Sequence, residues 1–257
     1  MFDATSSAFS SATQLNWDLQ AMLKTSGISY DVQQHLVNVY AMLSASVVCC
    51  ALSCASVIWL SPSPLFVAEN IGWLSLLNTL MMTAGIVWLH MEPVYNKAKR
   101  FMILMMISAT MGITLSALVA ITLEIDPSIL VTAFLITTTV FLCFSGSAMF
   151  ATRRSYLYLG GLLSSALSVM VLMNLFNYFF RSVMIDNALL YGGLVVFCAY
   201  VMFDTQMIIE RASLGDKDAI KHSLDLFLDF VGIFVRIVVI LLKNKQKKDE
   251  EDKRSRR

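Results

Sequence analysis

Leu194-Val-Val-Phe-Cys-Ala-Tyr-Val-Met-Phe-Asp204-Thr-Gln-Met-Ile-Ile209 and Leu224-Asp-Leu-Phe-Leu-Asp-Phe-Val-Gly-Ile-Phe-Val-Arg236 are the stretches whose reading decides the fold. Both are apolar runs that carry carboxylates: Asp204 in the first, Asp225 and Asp229 in the second. An ionised Asp inside hydrocarbon costs about 2.5–3.5 kcal/mol on insertion scales, so such residues face a bundle interior or a wet cavity and serve a purpose there. The two runs therefore predict helices inside a membrane bundle, with the function where their carboxylates meet.

The rest of the chain agrees with a membrane setting. Hydrophobic residues make up 57% of it, charged residues only 14%, and the mean hydropathy is +0.69. One soluble core of 257 residues could not hide that much apolar surface. Crossing the hydrocarbon takes roughly 20 apolar residues. Runs of that kind predict spans at Val39 to Leu60, Leu65 to Leu89, Phe101 to Leu123, Ile129 to Phe150, Tyr156 to Phe179 and Ala188 to Ile209, with a weaker seventh segment at Leu224 to Leu242. Pro62, Pro64, Pro93 and Pro127 all fall in connections or at span ends, where a missing N–H does no harm. The fold class is all-α and polytopic. Residues 1–38 form an N-terminal segment, 39–242 the membrane domain and 243–257 a basic tail.

On a helical wheel Asp225 and Asp229 stack one turn apart, and Arg236 returns to the same face two turns later. The remaining positions of that segment are apolar nearly all round, which fits a helix at the middle of a bundle with six others around it. Asp225 also fits a second role, capping the segment's start in the headgroups. Arg236 is the counter-charge available on the stripe.

Lys and Arg in short connections stay on the cytoplasmic side. Lys97, Lys99 and Arg100 lie in the second connection, Arg153 and Arg154 in the fourth, and Arg211, Lys217 and Lys221 in the sixth. The first and third carry Glu69, Glu124 and Asp126 but no cation, and the fifth carries Arg181 alone. Even-numbered connections, and with them the N-terminus, are expected in the cytoplasm. The basic tail is expected there too. Both ends share a side only if the seventh segment re-enters, whereas a central crossing helix sends the tail to the other side.

Leu15, Leu19, Met22 and Leu23 recur at helical spacing ahead of Gly27 and predict a short amphipathic helix, on the membrane or against the bundle. No signal peptide is expected. The five Cys all lie within spans and read as small packing residues rather than disulfide or zinc ligands. Gly160-Gly161 and Gly192-Gly193 predict close helix approach, and the 16 Met predict adaptable packing. His90 reads as an interfacial anchor that titrates near neutrality.

Longer motifs carry a resemblance. Arg153-Arg-Ser-Tyr-Leu-Tyr-Leu-Gly-Gly161, Phe203-Asp-Thr-Gln-Met-Ile-Ile-Glu210, Asp225-Leu-Phe-Leu-Asp-Phe230, Asp126-Pro-Ser-Ile-Leu130 and Gln33-Gln-His-Leu36 resemble the transmembrane Bax inhibitor motif family, in its endoplasmic-reticulum branch. The likeness covers nearly the whole chain. It implies a seven-helix fold with a central last helix and a pH-sensitive calcium leak in the endoplasmic reticulum membrane. It also implies suppression of cell death, with Bcl-2-type proteins and inositol trisphosphate receptors as partners.

Carried onto this chain, the family's di-aspartyl pH sensor falls on Asp204 and Asp229. Two departures stand out. Leu115-Ser-Ala-Leu118 occupies the place of a Gly-Pro kink, and the second span has no Arg to latch onto the dyad. Arg236 is then the cation left for a latch.

Two carboxylates brought close in a poorly solvated site cannot both ionise readily, so such a pair holds a proton near neutral pH. Changing that proton pins or parts two helices. Calcium suits the path because it takes carboxylate oxygens, and Asp204 and Asp229 would hold it transiently. No bound cofactor, nucleic-acid partner or enzymatic activity is expected. An intramembrane aspartyl protease needs Gly-x-Gly-Asp, whereas Asp204 follows Val201-Met-Phe203. The rival reading is a non-conducting adaptor that regulates cell-death proteins and calcium channels.

Overall fold

A computed structural model describes residues 29–60, 71–151 and 159–255, with backbone alone for 71–75. Among these residues the chain is helical, with no strand. Seven helices follow one another: α1 (Tyr30–Leu60), α2 (Ile71–Met91), α3 (Lys97–Ile125), α4 (Ser128–Phe150), α5 (Leu159–Phe180), α6 (Val183–Ser213) and α7 (Ala219–Ser255). The amphipathic segment around Leu15 to Leu23, the Arg153-Arg154 pair and Glu69 lie outside the described residues.

Each helix coincides with an expected span because run length and Pro placement fix both. Five of them, α1, α3, α4, α5 and α6, are long and apolar enough to cross a membrane unaided, and α2 contributes the shorter apolar stretch Leu76–Met91. Helix α1 begins at Tyr30, well before Val39, and its 31 residues extend roughly 46 Å against a hydrocarbon thickness of about 30 Å. The first helix therefore projects from the membrane as one rigid piece.

Helix α7 is the exception in composition and the centre in position. It packs against α1, α3, α4 and α6, and buries Leu224, Leu226, Phe227, Ile233 and Val238 almost completely. A helix that carries Asp225, Asp229 and Arg236 is too costly to expose to lipid, and the surrounding helices shield it. The expectation of six surrounding helices needs correcting. Helix α2 packs chiefly on α3 and α5 on α6, so both stand outside the inner ring. The outward face of α5 is correspondingly apolar and exposed, with Leu172, Leu175 and Phe176 more than half accessible.

Close approach at the centre depends on two glycines. A Cβ on Gly232 would sit 2.4 Å from the Phe197 ring, and one on Gly193 would sit 2.3 Å from Arg236 Nε. Each lets α6 and α7 touch where a methyl group would separate them. Of the expected Gly pairs, Gly160 and Gly193 meet neighbours, whereas Gly161 and Gly192 face open space.

The path of α7 is continuous. Near its start, Asp218 pairs with Arg100 at 2.6 Å and Lys217 with Asp31 at 3.3 Å. Near its far end, Lys245 pairs with Asp126 at 3.3 Å and Lys243 donates to Asn187 at 3.0 Å. The helix thus runs from the face that holds the start of α1 and the α2–α3 connection to the face that holds the α3–α4 and α5–α6 connections. Among the described residues α7 is one unbroken helix that does not turn back. The end of the described chain thus lies at the face of the bundle opposite the start of α1.

Candidate functional site

The motif Phe203-Asp-Thr-Gln206 faces three ways from one turn of α6. Asp204 turns to α7, where its carboxyl group is a hydrogen-bond partner of the Asp229 carboxyl group. Thr205 turns to α4, its hydroxyl 3.1 Å from Ser145 Oγ, which also meets the hydroxyl of Tyr40 on α1. Gln206 donates to the Ala148 carbonyl at 3.4 Å. Three consecutive residues, Asp204 to Gln206, therefore join α6 to α7, α4 and α1, because on a helix successive side chains point about 100° apart.

Asp229 is 5% exposed, and its Oδ2 has no partner. A hydrogen bond between two carboxyl groups needs a proton on one of them, since an ionised carboxylate only accepts. Such a pair ties α6 to α7 when protonated once and sets two negative charges against each other when fully ionised. Phe230, the next residue, packs edge-on against Phe134 and Phe141 of α4. The site thus has an apolar wall on that side.

Asp225 lies two turns inside α7, which begins at Ala219. It does not cap the helix: that position belongs to Asp218, whose Oδ1 accepts the Lys221 N–H at 3.2 Å. Arg211, Lys221 and His90 all lie close enough to Asp225 to act on its charge, and Arg211 acts on Asp204 as well. Side chains from α2, α6 and α7 therefore form a collar about Asp225. His90 itself is exposed, with Nδ1 2.9 Å from the Ile86 carbonyl.

Arg236 sits elsewhere than on the pair. Its Nη1 donates to the Gly232 carbonyl at 2.9 Å and its guanidinium stacks 4.3 Å from the Phe197 ring centroid. Those contacts occupy the cation that the sequence offered as a counter-charge. No group of three or more His, Cys, Asp or Glu side chains among the described residues has the arrangement to hold a metal ion. The pair is two carboxyl groups, too few for a metal cage.

Three arrangements were missed in the sequence. Tyr40, Ser145 and Thr205 form the hydroxyl chain described above, and the signal for it was a set of hydroxyls inside apolar runs. His35 Nε2 meets His222 Nδ1 at 3.0 Å, joining α1 to α7. Arg100, which reads in the sequence only as a loop cation, is buried in a pair with Asp218, which carries no local signal at all.

An all-helical, multi-span membrane protein with a carboxyl group of its central helix beside one from α6 is the class that fold and site define. The family described as "Inhibitor of apoptosis-promoting Bax1" matches residues 32–247, and the chain belongs to it. Named relatives agree over full length. The chain is 42% identical to Bax inhibitor 1 of Oryza sativa subsp. japonica, covering 100% of this chain and 98% of the rice protein. It is 42% identical to Bax inhibitor 1 of Arabidopsis thaliana, covering 96% of each. It is 41% identical to Bax inhibitor 1 of Homo sapiens, covering 93% of this chain and 98% of the human protein.

Proposed function

We propose that this protein is a pH-sensitive calcium leak channel of the endoplasmic reticulum membrane that lowers stored calcium and thereby suppresses cell death. The observation that carries this reading is the contact between Asp204 and Asp229 across α6 and α7. With one proton shared, the pair clamps the two helices. With none, two like charges in a poorly solvated site repel, the helices part, and a divalent cation is the natural replacement for the lost proton. The collar of Arg211, Lys221 and His90 would keep cations from settling at Asp225, favouring passage over storage.

The test is calcium efflux from liposomes that hold the purified protein alone, measured against pH. Asp229→Asn keeps the shape and a hydrogen bond to Asp204 but removes one titrating partner, so its pH response should flatten or shift strongly between about pH 5 and 8. Asp225→Asn, which stands outside the pair, should alter that response less. A wild-type profile in Asp229→Asn would sink the sensor, and His90 would be tested next. No efflux from the wild-type protein would sink the channel.

The exposed helical extension at the end of α7 favours a second reading, a non-conducting adaptor that holds Bcl-2-type proteins or inositol trisphosphate receptors through its charged surface. That reading needs the tail in the cytoplasm. Cationic even-numbered connections held in the cytoplasm, combined with an α7 that crosses, would put it on the other side. Labelling a single Cys introduced in the tail, in sealed microsomes, separates the two: protection of the label removes the adaptor's docking surface, and access from outside restores it.

A further inference from the structure

Helix α3 starts with its charges reversed. The positive end of a helix macrodipole favours carboxylates, yet the first turn of α3 has no acidic residue, and Asn96 makes no capping bond through its side chain. That turn holds Lys97, Lys99 and Arg100 instead. Lys99 is matched by Glu92 at 2.8 Å, and its ammonium, with the Asn96 amide, holds the Glu92 carboxyl below its ordinary value. Lys97 pairs with no carboxylate among the described residues.

Arg100 is only 3% exposed, and its partners account for part of its donor set. Nη2 meets Asp218, while Nε and Nη1 are buried with no hydrogen-bond partner. Unpaired N–H groups on a buried guanidinium are costly, and in native structures they have a partner. Arg100 lines a cavity of about 750 Å³ between the starts of α1, α3 and α7. Lys97, Lys217, Asn38, Asp31 and Asp218 line it as well. Lys217 is taken by Asp31 and one nitrogen of Arg100 by Asp218, so what is left over is the ammonium of Lys97, the idle donors of Arg100 and the amide of Asn38.

We propose that this cavity binds a phosphate-bearing anion, held by Arg100 and Lys97 at the start of α3. The chemistry is that of a phosphate group, whether free in solution or on a lipid headgroup of the adjoining leaflet. Planar guanidinium donors and a helix N-terminus are both suited to it. Occupancy would bear on α7 directly, because Asp218 both receives Arg100 and caps α7. The site holds independently of whether the protein conducts calcium.

The test is calorimetric titration of the full-length protein in detergent, in buffer free of phosphate and sulfate. The probes are inorganic phosphate, dioctanoyl phosphatidic acid and, as a phosphate-free control, dioctanoylglycerol. Saturable binding of inorganic phosphate assigns the site to small anions, and saturable binding of dioctanoyl phosphatidic acid alone assigns it to a headgroup. In either case Lys97→Gln, an exposed position, should weaken binding about tenfold, as loss of one charged hydrogen bond does. Arg100→Lys keeps a cation for Asp218 but loses the planar fork, and should weaken binding at least as much. No saturable binding of either phosphate probe, equal binding of dioctanoylglycerol, or wild-type binding by Lys97→Gln would overturn the proposal. If Arg100→Lys does not fold, Lys97→Gln decides alone.

Discussion

Near its start α7 is joined to α3 by Arg100 and Asp218, unlike charges 2.6 Å apart; about three turns further on it is joined to α6 by Asp204 and Asp229, like groups that attract only while a proton lies between them. Both contacts are buried and both fix the same helix. The first needs no proton between its partners, which carry opposite charges. The second depends on one proton. A helix anchored in this way has a fixed end and a conditional middle, and removing one partner should have opposite consequences at the two places.

The largest effect separates them on stability. Arg100→Met strands the Asp218 carboxylate in a buried site and should cost about 3–5 kcal/mol, read as a lower unfolding midpoint in a denaturant titration in micelles. Asp229→Asn should cost less than about 1 kcal/mol in the same titration, because its amide still hydrogen-bonds Asp204. Equal losses would erase the distinction between the two pairs.

A smaller effect sharpens it. Gly232 lies one turn beyond Asp229, and a methyl group there must displace the Phe197 ring. Gly232→Ala should cost about 1–3 kcal/mol by overpacking, and should change the pH response of efflux by parting α6 from α7 near the carboxyl pair. Gly161→Ala, which meets nothing within 4 Å, should leave both stability and efflux close to wild type. A Gly232→Ala variant with wild-type efflux would show that the carboxyl contact does not depend on that close approach.

The smallest effect is at the far end of α7. Hydrogen bonds from Ser128, side chain and backbone, and then from Lys245, hold the Asp126 carboxyl below its ordinary value. A depressed pKa means the contact contributes at pH values above the unfolded carboxylate's pKa and is lost as pH falls through the lower folded one. Lys245 should therefore stay docked until the medium is more acidic than an ordinary Asp requires. A spin label at Asp249→Cys should gain mobility only in that strongly acid range, and Asp126→Asn should free it at neutral pH. Mobility that changes near neutrality would point to another group.

The helices were legible because run length and Pro placement each constrain a span, and the charge of Asp204 and Asp229 inside apolar runs marked them for the interior. What joined what was less legible. Lys97 to Arg100 read as loop cations that fix orientation, and nothing local to Arg100 says that Asp218 will meet it in a buried pair. His35 and His222, or Tyr40 and Ser145, meet only through the packing of α1 on α7 and α4. The basic tail is read by two separate signals: charge counting weighs its own Lys, whereas the unbroken α7 ties it to the far end of the bundle. Arg236 went to a carbonyl and an aromatic face because Gly193 and Phe197 left space for it there.

An unbroken α7 also governs how this molecule can be handled. Tyr30 and Ser255 lie at opposite faces of the bundle, so if α7 stands across the membrane, tags placed at those two positions face different solutions. With that orientation a cleavable epitope or a biotin-ligase tag would sample one compartment from the first position and the opposite compartment from the second. Proximity labelling from the two ends should accordingly return two separate sets of neighbours, and a pair of tags read together would calibrate the sidedness of any vesicle preparation in which the protein is measured.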